Sequence, residues 1–229
     1  MLAQATSDSK NTTLKRRLNS ARWLAINTDT AMAKTLTAPL PVAALRAPDG
    51  LWFGKDLSTP EPIPEGAIER AVALMRSGRL HRYGEQGTGY PEPSLLEQDY
   101  AAYVGSKYCV AVSSCGAAMF IALKALGVKP GDKVLTSTFT LAPVPGAIAH
   151  VGAEAVLVET SSDYMTDMAD LERKAATSGA KVFLLSHMRG HIADLQAVRA
   201  ICDKHGIAII EDCAHTMGAA WAGRATGTW

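Results

Sequence analysis

Five short apolar runs, at residues 108–113, 134–136, 155–159, 182–186 and 207–210, are separated by stretches whose apolar residues recur at helical spacing. Runs of this kind, with few polar residues at alternate positions, belong to strands buried on both faces. Interleaved with helices, they specify an α/β fold with a mostly parallel sheet covered by helices on both faces. Helices are expected at 65–77, from Ser94 to a stop at Gly105, and at 116–126, 143–150, 167–176 and 194–205. In the first, Ile68, Ala71, Val72 and Met75 share one face, and Gly78 stands where a C′ glycine would. Ser94-Leu95-Leu96-Glu97 is a capping-box pattern that should open the second, with Leu96, Tyr100 and Tyr103 packed inward. The third is apolar almost all round, which predicts burial.

A chain of 229 residues with 48% hydrophobic content can bury the core of one large domain, with or without an appendage. Its net charge of +1 gives no global argument for nucleic acid or an anionic membrane as partner. No apolar run approaches the roughly 20 residues of a membrane span. Residues 1–38 differ from the rest. They are rich in Ser and Thr, place Lys10, Lys15, Arg16, Arg17, Arg22 and Lys34 against only Asp8 and Asp29, and carry Leu14, Leu18, Ala21 and Ala25 at helical spacing. This leader reads as a disordered extension or as an organelle transit peptide, so the compartment is the cytoplasm or, by the second reading, a mitochondrion or plastid. Prolines punctuate residues 39–63, and the folded body should span 64–229.

The four cysteines show neither a CxxC pair nor the His spacing of a zinc site; reduced, mostly buried thiols and no metal are expected. Gly84-Glu85-Gln86-Gly87-Thr88-Gly89 lacks the GxGxxG spacing and follows no strand, so it reads as a flexible loop, and a nicotinamide-dependent enzyme is excluded on the same ground.

Three loops should meet at the carboxyl ends of the strands, where open α/β sheets bind ligands. Ser113-Ser114-Cys115-Gly116 is a turn of small residues that either cradles a phosphate on free backbone amides or allows tight strand–helix packing. The stretch 136–143 is the second. In the third, Glu211-Asp212-Cys213-Ala214-His215, Asp212 interrupts an apolar strand end, where an ionised carboxylate needs a cation or donors; it is a ligand-binding acid or a cap for the next turn. His215 is an interior histidine or a second site group, and His187 adds a polar side chain at the same edge. The chain holds no lysine after Lys204.

The motifs from Pro64 onward resemble those of the DegT/DnrJ/EryC1/StrS sugar aminotransferases, fold-type-I enzymes that use pyridoxal phosphate. The likeness runs, in the family's order, through Ser77-Gly78-Arg79-Leu80, Leu96-Glu97 to Gly105, residues 112–123, Gly131 to Thr136, His187-Met188-Arg189-Gly190-His191 and residues 209–219. It implies the large cofactor-binding domain of that fold, with the small C-terminal domain missing. It implies that Asp212 pairs with the protonated pyridine nitrogen, that His215 lies near the 3-hydroxyl, that Ser114, Cys115 and Gly116 hold the phosphate, and that Leu141 covers the ring. His187 is placed at the same cofactor edge. Two departures follow: Cys115 and Gly116 stand where the family has Gly and Thr, and Leu141 stands where it commonly has an aromatic.

The resemblance further implies transfer of an amino group from glutamate or glutamine to a keto-sugar or cyclitol, in a homodimer. The family's Schiff-base lysine would fall beyond Trp229, so this chain reads as a fragment without a catalytic residue, inactive alone. Two alternatives stand beside that reading. One is a dehydratase of the same superfamily, which uses the pyridoxamine form of the cofactor. The other is a non-catalytic truncated paralogue that binds or regulates.

Overall fold

The computed structural model describes residues 59–83 and 90–229. The leader, most of the proline-punctuated segment and the glycine loop at 84–89 lie outside the described residues. The chain divides into two units, Met1–Ala67 and Ile68–Trp229, and the sheet belongs to the second.

Helix α1 spans Glu65–Ser77, α2 Glu92–Val104 and α3 Cys115–Ala125. Then come β1 Lys133–Ser137, α4 Pro143–His150, β2 Glu154–Val158, α5 Met168–Thr177, β3 Val182–Ser186, α6 Leu195–His205 and β4 Ala208–Asp212. A two-stranded hairpin follows, β5 Ala220–Trp221 and β6 Arg224–Ala225. Short polar side chains start the helices: Ser114 accepts from the amide of Ala117, Asp167 from those of Ala169 and Asp170, and Asp194 from that of Ala197. Among the described residues, no helix is long and apolar enough to cross a membrane.

All neighbours in the four-stranded sheet, ordered β2-β1-β3-β4, are parallel. The chain leaves β1 for β2 through α4, then returns past β1 to β3 and on to β4 through α5 and α6. Right-handed crossovers put connections that run in opposite directions on opposite faces, and the core obeys this. Val134, Val182 and Leu184 pack with Met119 and Leu123 of α3 and Val144 and Ile148 of α4. The alternate residues Leu135, Phe183 and Leu185 pack with Leu171 of α5 and Leu195, Val198 and Cys202 of α6. The reversal of direction lies between β1 and β3, so the crevice for a ligand opens at their carboxyl ends.

Four local expectations fail. Residues 108–113 form no strand, although they are apolar. The backbone of Ala111 is taken by side chains instead: Arg82 Nη1 donates to its carbonyl and its amide donates to Glu97. Tyr108 and Val110 are left exposed. Glu97 is thus occupied elsewhere and closes no capping box. Helix α2 starts two residues before Ser94, from Pro91 as its N-cap with a proline in the first turn, and Leu96 and Tyr103 face outward. Helix α3 buries only Met119 and Leu123, because α4 and the sheet cover one side of it; Ile121 stays exposed. The cysteines are all free, but only Cys202 is buried and Cys115 is exposed.

Gly152, between α4 and β2, has φ +81, and a Cβ there would meet Pro130 Cβ at 3.0 Å; Gly179 has φ +77 with nothing within 4 Å. The pair separates backbone strain from steric conflict. Gly179→Ala should lower stability by about 1 kcal/mol and Gly152→Ala by about 2–4 kcal/mol in urea denaturation. Equal losses would show that the Pro130 contact relaxes freely.

Candidate functional site

The register of β3 on β4 sets Ser186 opposite Asp212, Leu184 opposite Ile210 and Leu185 opposite Glu211. Leu184 and Ile210 belong to the core under α3 and α4, so Ser186 and Asp212 project to that face at its carboxyl edge. Three donors hold the half-buried Asp212. Ser186 Oγ donates to Oδ2 at 2.9 Å, the amide of Ala214 to Oδ1 at 3.2 Å, and the Cys115 thiol to Oδ1 at 3.5 Å. Among the described residues no cation pairs with this carboxylate. Its charge is oriented by neutral groups and left for a donor from outside.

Cys115 brings α3 to the same point. Ser114 caps this helix through a 3.1 Å bond from the Ala117 amide, while the amides of Cys115 and Gly116 have no partner among the described residues. A Cβ on Gly116 would meet nothing nearer than Ser114 Oγ at 3.9 Å. Two free amides at the positive end of an eleven-residue helix favour negative charge, and they lie beside a carboxylate with no counter-ion among the described residues. Burial and the Asp212 charge push the Cys115 thiol up, so it acts here as an S–H donor. Leu141, in the turn between β1 and α4, is half exposed. Near it Phe139 is half-buried, with its ring 5.1 Å from that of Tyr164.

His215 is exposed three residues beyond Asp212, and its Nδ1 accepts from the Arg189 amide at 3.1 Å. His187 lies apart from this group, contrary to expectation. It is fully buried on the other face of the sheet, where Nε2 bonds Glu211 Oε2 at 3.1 Å. The alternation along β4 turns Glu211 away from Asp212, and His187 follows Glu211. The second Glu211 oxygen accepts from the Trp229 amide at 2.8 Å. Burial draws the Glu211 carboxyl up, but the bonds from His187 and from the amides of Gly227 and Trp229 outweigh it and hold it below the usual carboxylate range. Cys213 joins these two within 4.8 Å; burial pushes its thiol up to about 11, so it stands as a neutral thiol beside the pair, in which His187 Nδ1 is buried without a hydrogen-bond partner among the described residues.

Ser114, Cys115, Gly116 and Asp212 are therefore brought together, Leu141 and His215 flank them on loops at the same edge, and His187 is not among them. Sequence reasoning missed Ser186, whose signal was a hydroxyl at the end of an apolar strand one register pair from Asp212. It also missed Glu211, hidden by its neighbour. No lysine among the described residues reaches this edge. Lys124, Lys174 and Lys204 bond elsewhere, Lys107 lies over the Tyr108 ring, and Lys129, Lys133 and Lys181 stand at the amino ends of β1 and β3.

Residues 65–229 match the model of the DegT/DnrJ/EryC1/StrS aminotransferase family. The chain is 37% identical over 167 residues to the spore coat polysaccharide biosynthesis protein SpsC of Bacillus subtilis (strain 168), covering 72% of this chain and 41% of SpsC. It is 42% identical over 166 residues to a Streptomyces kanamyceticus protein named as an L-glutamine:3-amino-2,3-dideoxy-scyllo-inosose aminotransferase, covering 70% and 38%. The structure of S. venezuelae DesV superposes with a TM-score of 0.62 at 35% identity, covering 71% of this chain and 43% of DesV. The chain thus spans about two fifths of the length of these relatives. The family works with pyridoxal phosphate, and a Streptococcus pneumoniae relative is solved in both its PLP and PMP forms.

The buried pair on the far face makes a stability prediction. Glu211→Ala leaves His187 buried without its partner and should cost about 3 kcal/mol, read from the urea midpoint. Because the native Glu211 pKa lies below its unfolded value of about 4.3, its contribution is present above that pH and is lost as pH falls through the native value. Glu211→Gln should therefore flatten the loss of stability between about pH 5 and pH 3; an unchanged acid limb would show that Glu211 contributes none of it.

Proposed function

We propose a function that starts from one premise: the chain belongs to the DegT/DnrJ/EryC1/StrS aminotransferase family. In this reading, residues 65–229 are the cofactor-cradling part of an enzyme that aminates a keto-sugar or cyclitol with glutamate or glutamine as donor. The observation that carries it is the carboxylate of Asp212, oriented by Ser186, Ala214 and Cys115 with no cation partner, beside two free amides at the start of α3. This donor set fits pyridoxal phosphate at both ends, since the ring nitrogen carries a proton for a carboxylate and the phosphate seeks free N–H groups. The amino-sugar chemistry is supported by the relative named for a glutamine-dependent cyclitol amination.

When bound, pyridoxal phosphate supplies an electron sink for a carbanion at the substrate carbon. Asp212 would hold the proton on the ring nitrogen, and its three donors orient the carboxylate toward it. The amides of Cys115 and Gly116 take phosphate oxygens. Ser114 Oγ accepts from Ala117, which leaves its own O–H to donate to the same anion. Leu141 covers a ring face by apolar contact and excludes water there, without stacking. A homodimer belongs to this reading, as the resemblance implies. Among the described residues no lysine supplies at this edge the amine that would condense with the cofactor, so in this reading the described residues hold the cofactor by non-covalent contacts.

Two measurements check this. Asp212→Ala should weaken binding of pyridoxal phosphate by roughly 10- to 100-fold in equilibrium dialysis, as expected for the loss of one charge-assisted hydrogen bond; an unchanged Kd would remove Asp212 from the site. Borohydride reduction of the bound complex followed by peptide mapping should label no single lysine. A stoichiometric label on one lysine would show that the chain carries its own amine.

A further inference from the structure

The turn after β3, the 3-10 segment Met188–Gly190, contains Arg189 at φ 58 and ψ 21. Non-glycine residues rarely enter this left-handed region and persist there only when the surroundings dictate it. Here the side chain is not the cause, because among the described residues the Arg189 guanidinium makes no hydrogen bond or ion pair. The backbone is. The amide of His187 donates to the Asp212 carbonyl at 3.1 Å, and that of Gly190 to the His187 carbonyl at 3.1 Å. The turn is thereby tied to the end of β4, and the Arg189 amide points to His215 Nδ1 at 3.1 Å.

A neutral imidazole carries one N–H, and a ring nitrogen that accepts from an amide cannot be the one that carries it. We infer that Arg189 is a positioning residue whose backbone N–H holds His215 as the Nε2–H tautomer, so that His215 meets its ligand as a hydrogen-bond donor. The exposed Nε2–H then faces solvent at the edge that holds Asp212. Resting on the cofactor reading above, this donor serves an anionic oxygen on the ring of pyridoxal phosphate. A histidine in the other tautomer would offer that oxygen a lone pair and repel it. The strain at Arg189 is thus exchanged for the protonation pattern of a neighbouring ring, an indirect form of control that acts through hydrogen-bond geometry.

The test is long-range proton–nitrogen NMR on the 229-residue chain labelled with 15N-histidine, near pH 8 and without cofactor, with the His215 signals assigned by their loss in His215→Gln. The expected spectrum shows Nδ1 as a bare acceptor and Nε2 as protonated, in one tautomer. Arg189→Gly keeps the amide and tolerates the left-handed backbone, and it should give the same spectrum. An ester in place of the Arg189 amide, made by incorporating the α-hydroxy acid at position 189, removes the N–H without the fixed φ that proline would impose, and His215 should then drift to the mixed-tautomer shifts of free histidine while the His187 and His205 signals, tied to Glu211 and Glu172, stay put and report an intact fold. A wild-type His215 that already shows the mixed pattern or the Nδ1–H form overturns the inference, and so does an ester-189 chain that keeps the single tautomer. Titration with pyridoxal phosphate separates the two levels. Binding with an untethered His215 defeats this inference alone, whereas a tethered His215 with no binding defeats the cofactor reading and the donor role with it.

Discussion

The pairing of β3 with β4 decides where every polar group at the carboxyl edge goes. Its register sets Ser186 against Asp212 and, one step earlier, Leu185 against Glu211. Because side chains alternate, a slip of one residue would exchange the faces and bury Asp212 where Glu211 now sits. The apolar residues prevent that slip. Ile209 packs with the core under α5 and α6, and Ile210 with the core under α3 and α4. A fold held by hydrophobic contacts on both faces thus specifies, as a by-product, the direction of two acids that those contacts never touch.

Much of this architecture was legible in the chain because it rests on local patterns that agree with the global fold. The runs at 182–186 and 207–210 are apolar enough to be strands buried on both sides, and Asp167 and Asp194 are caps by residue type. The same reasoning failed at 108–113, where apolar character was present but the hydrogen-bond partner was not. Strand propensity describes a surface that fits a sheet, and a ladder needs a neighbour to supply the other half of each bond. Arg82 and Glu97 reach the Ala111 backbone instead, from positions 29 and 14 residues away in the chain. No local pattern encodes such a contact.

At the candidate site the chemically distinctive residue types were readable, and their partners were not. Asp212 announced itself by interrupting an apolar strand, yet Ser186 became significant only through register. His187 looked like a site residue because it follows a strand, as site residues do. What separated it from Asp212 was the face of the sheet, a property of the fold rather than of the residue. Cysteine burial misled in a similar way. Base rates favour interior thiols, whereas Cys115 sits at the first position of α3, where the helix end opens toward Asp212.

Glu211 and Asp212 are adjacent carboxylates with opposite surroundings, and the contrast argues for a division of duty along β4. Glu211 is enclosed, with one oxygen on His187 and the other on the Trp229 amide, so its charge is spent inside the protein. Asp212 is held by a hydroxyl, an amide and a thiol, each of which orients the carboxylate without neutralising it. Full neutralisation of both would make a more stable sheet edge. Leaving one unmatched, at the point where two free helix amides and a histidine on a strained turn also gather, has no structural return that the packing shows. An unmatched carboxylate is half of an interaction, and the turn at Arg189 that the backbone bonds tie to β4 sets its amide against the His215 ring beside it, so the strand pairing that orients Asp212 also fixes the position of the histidine at the same edge.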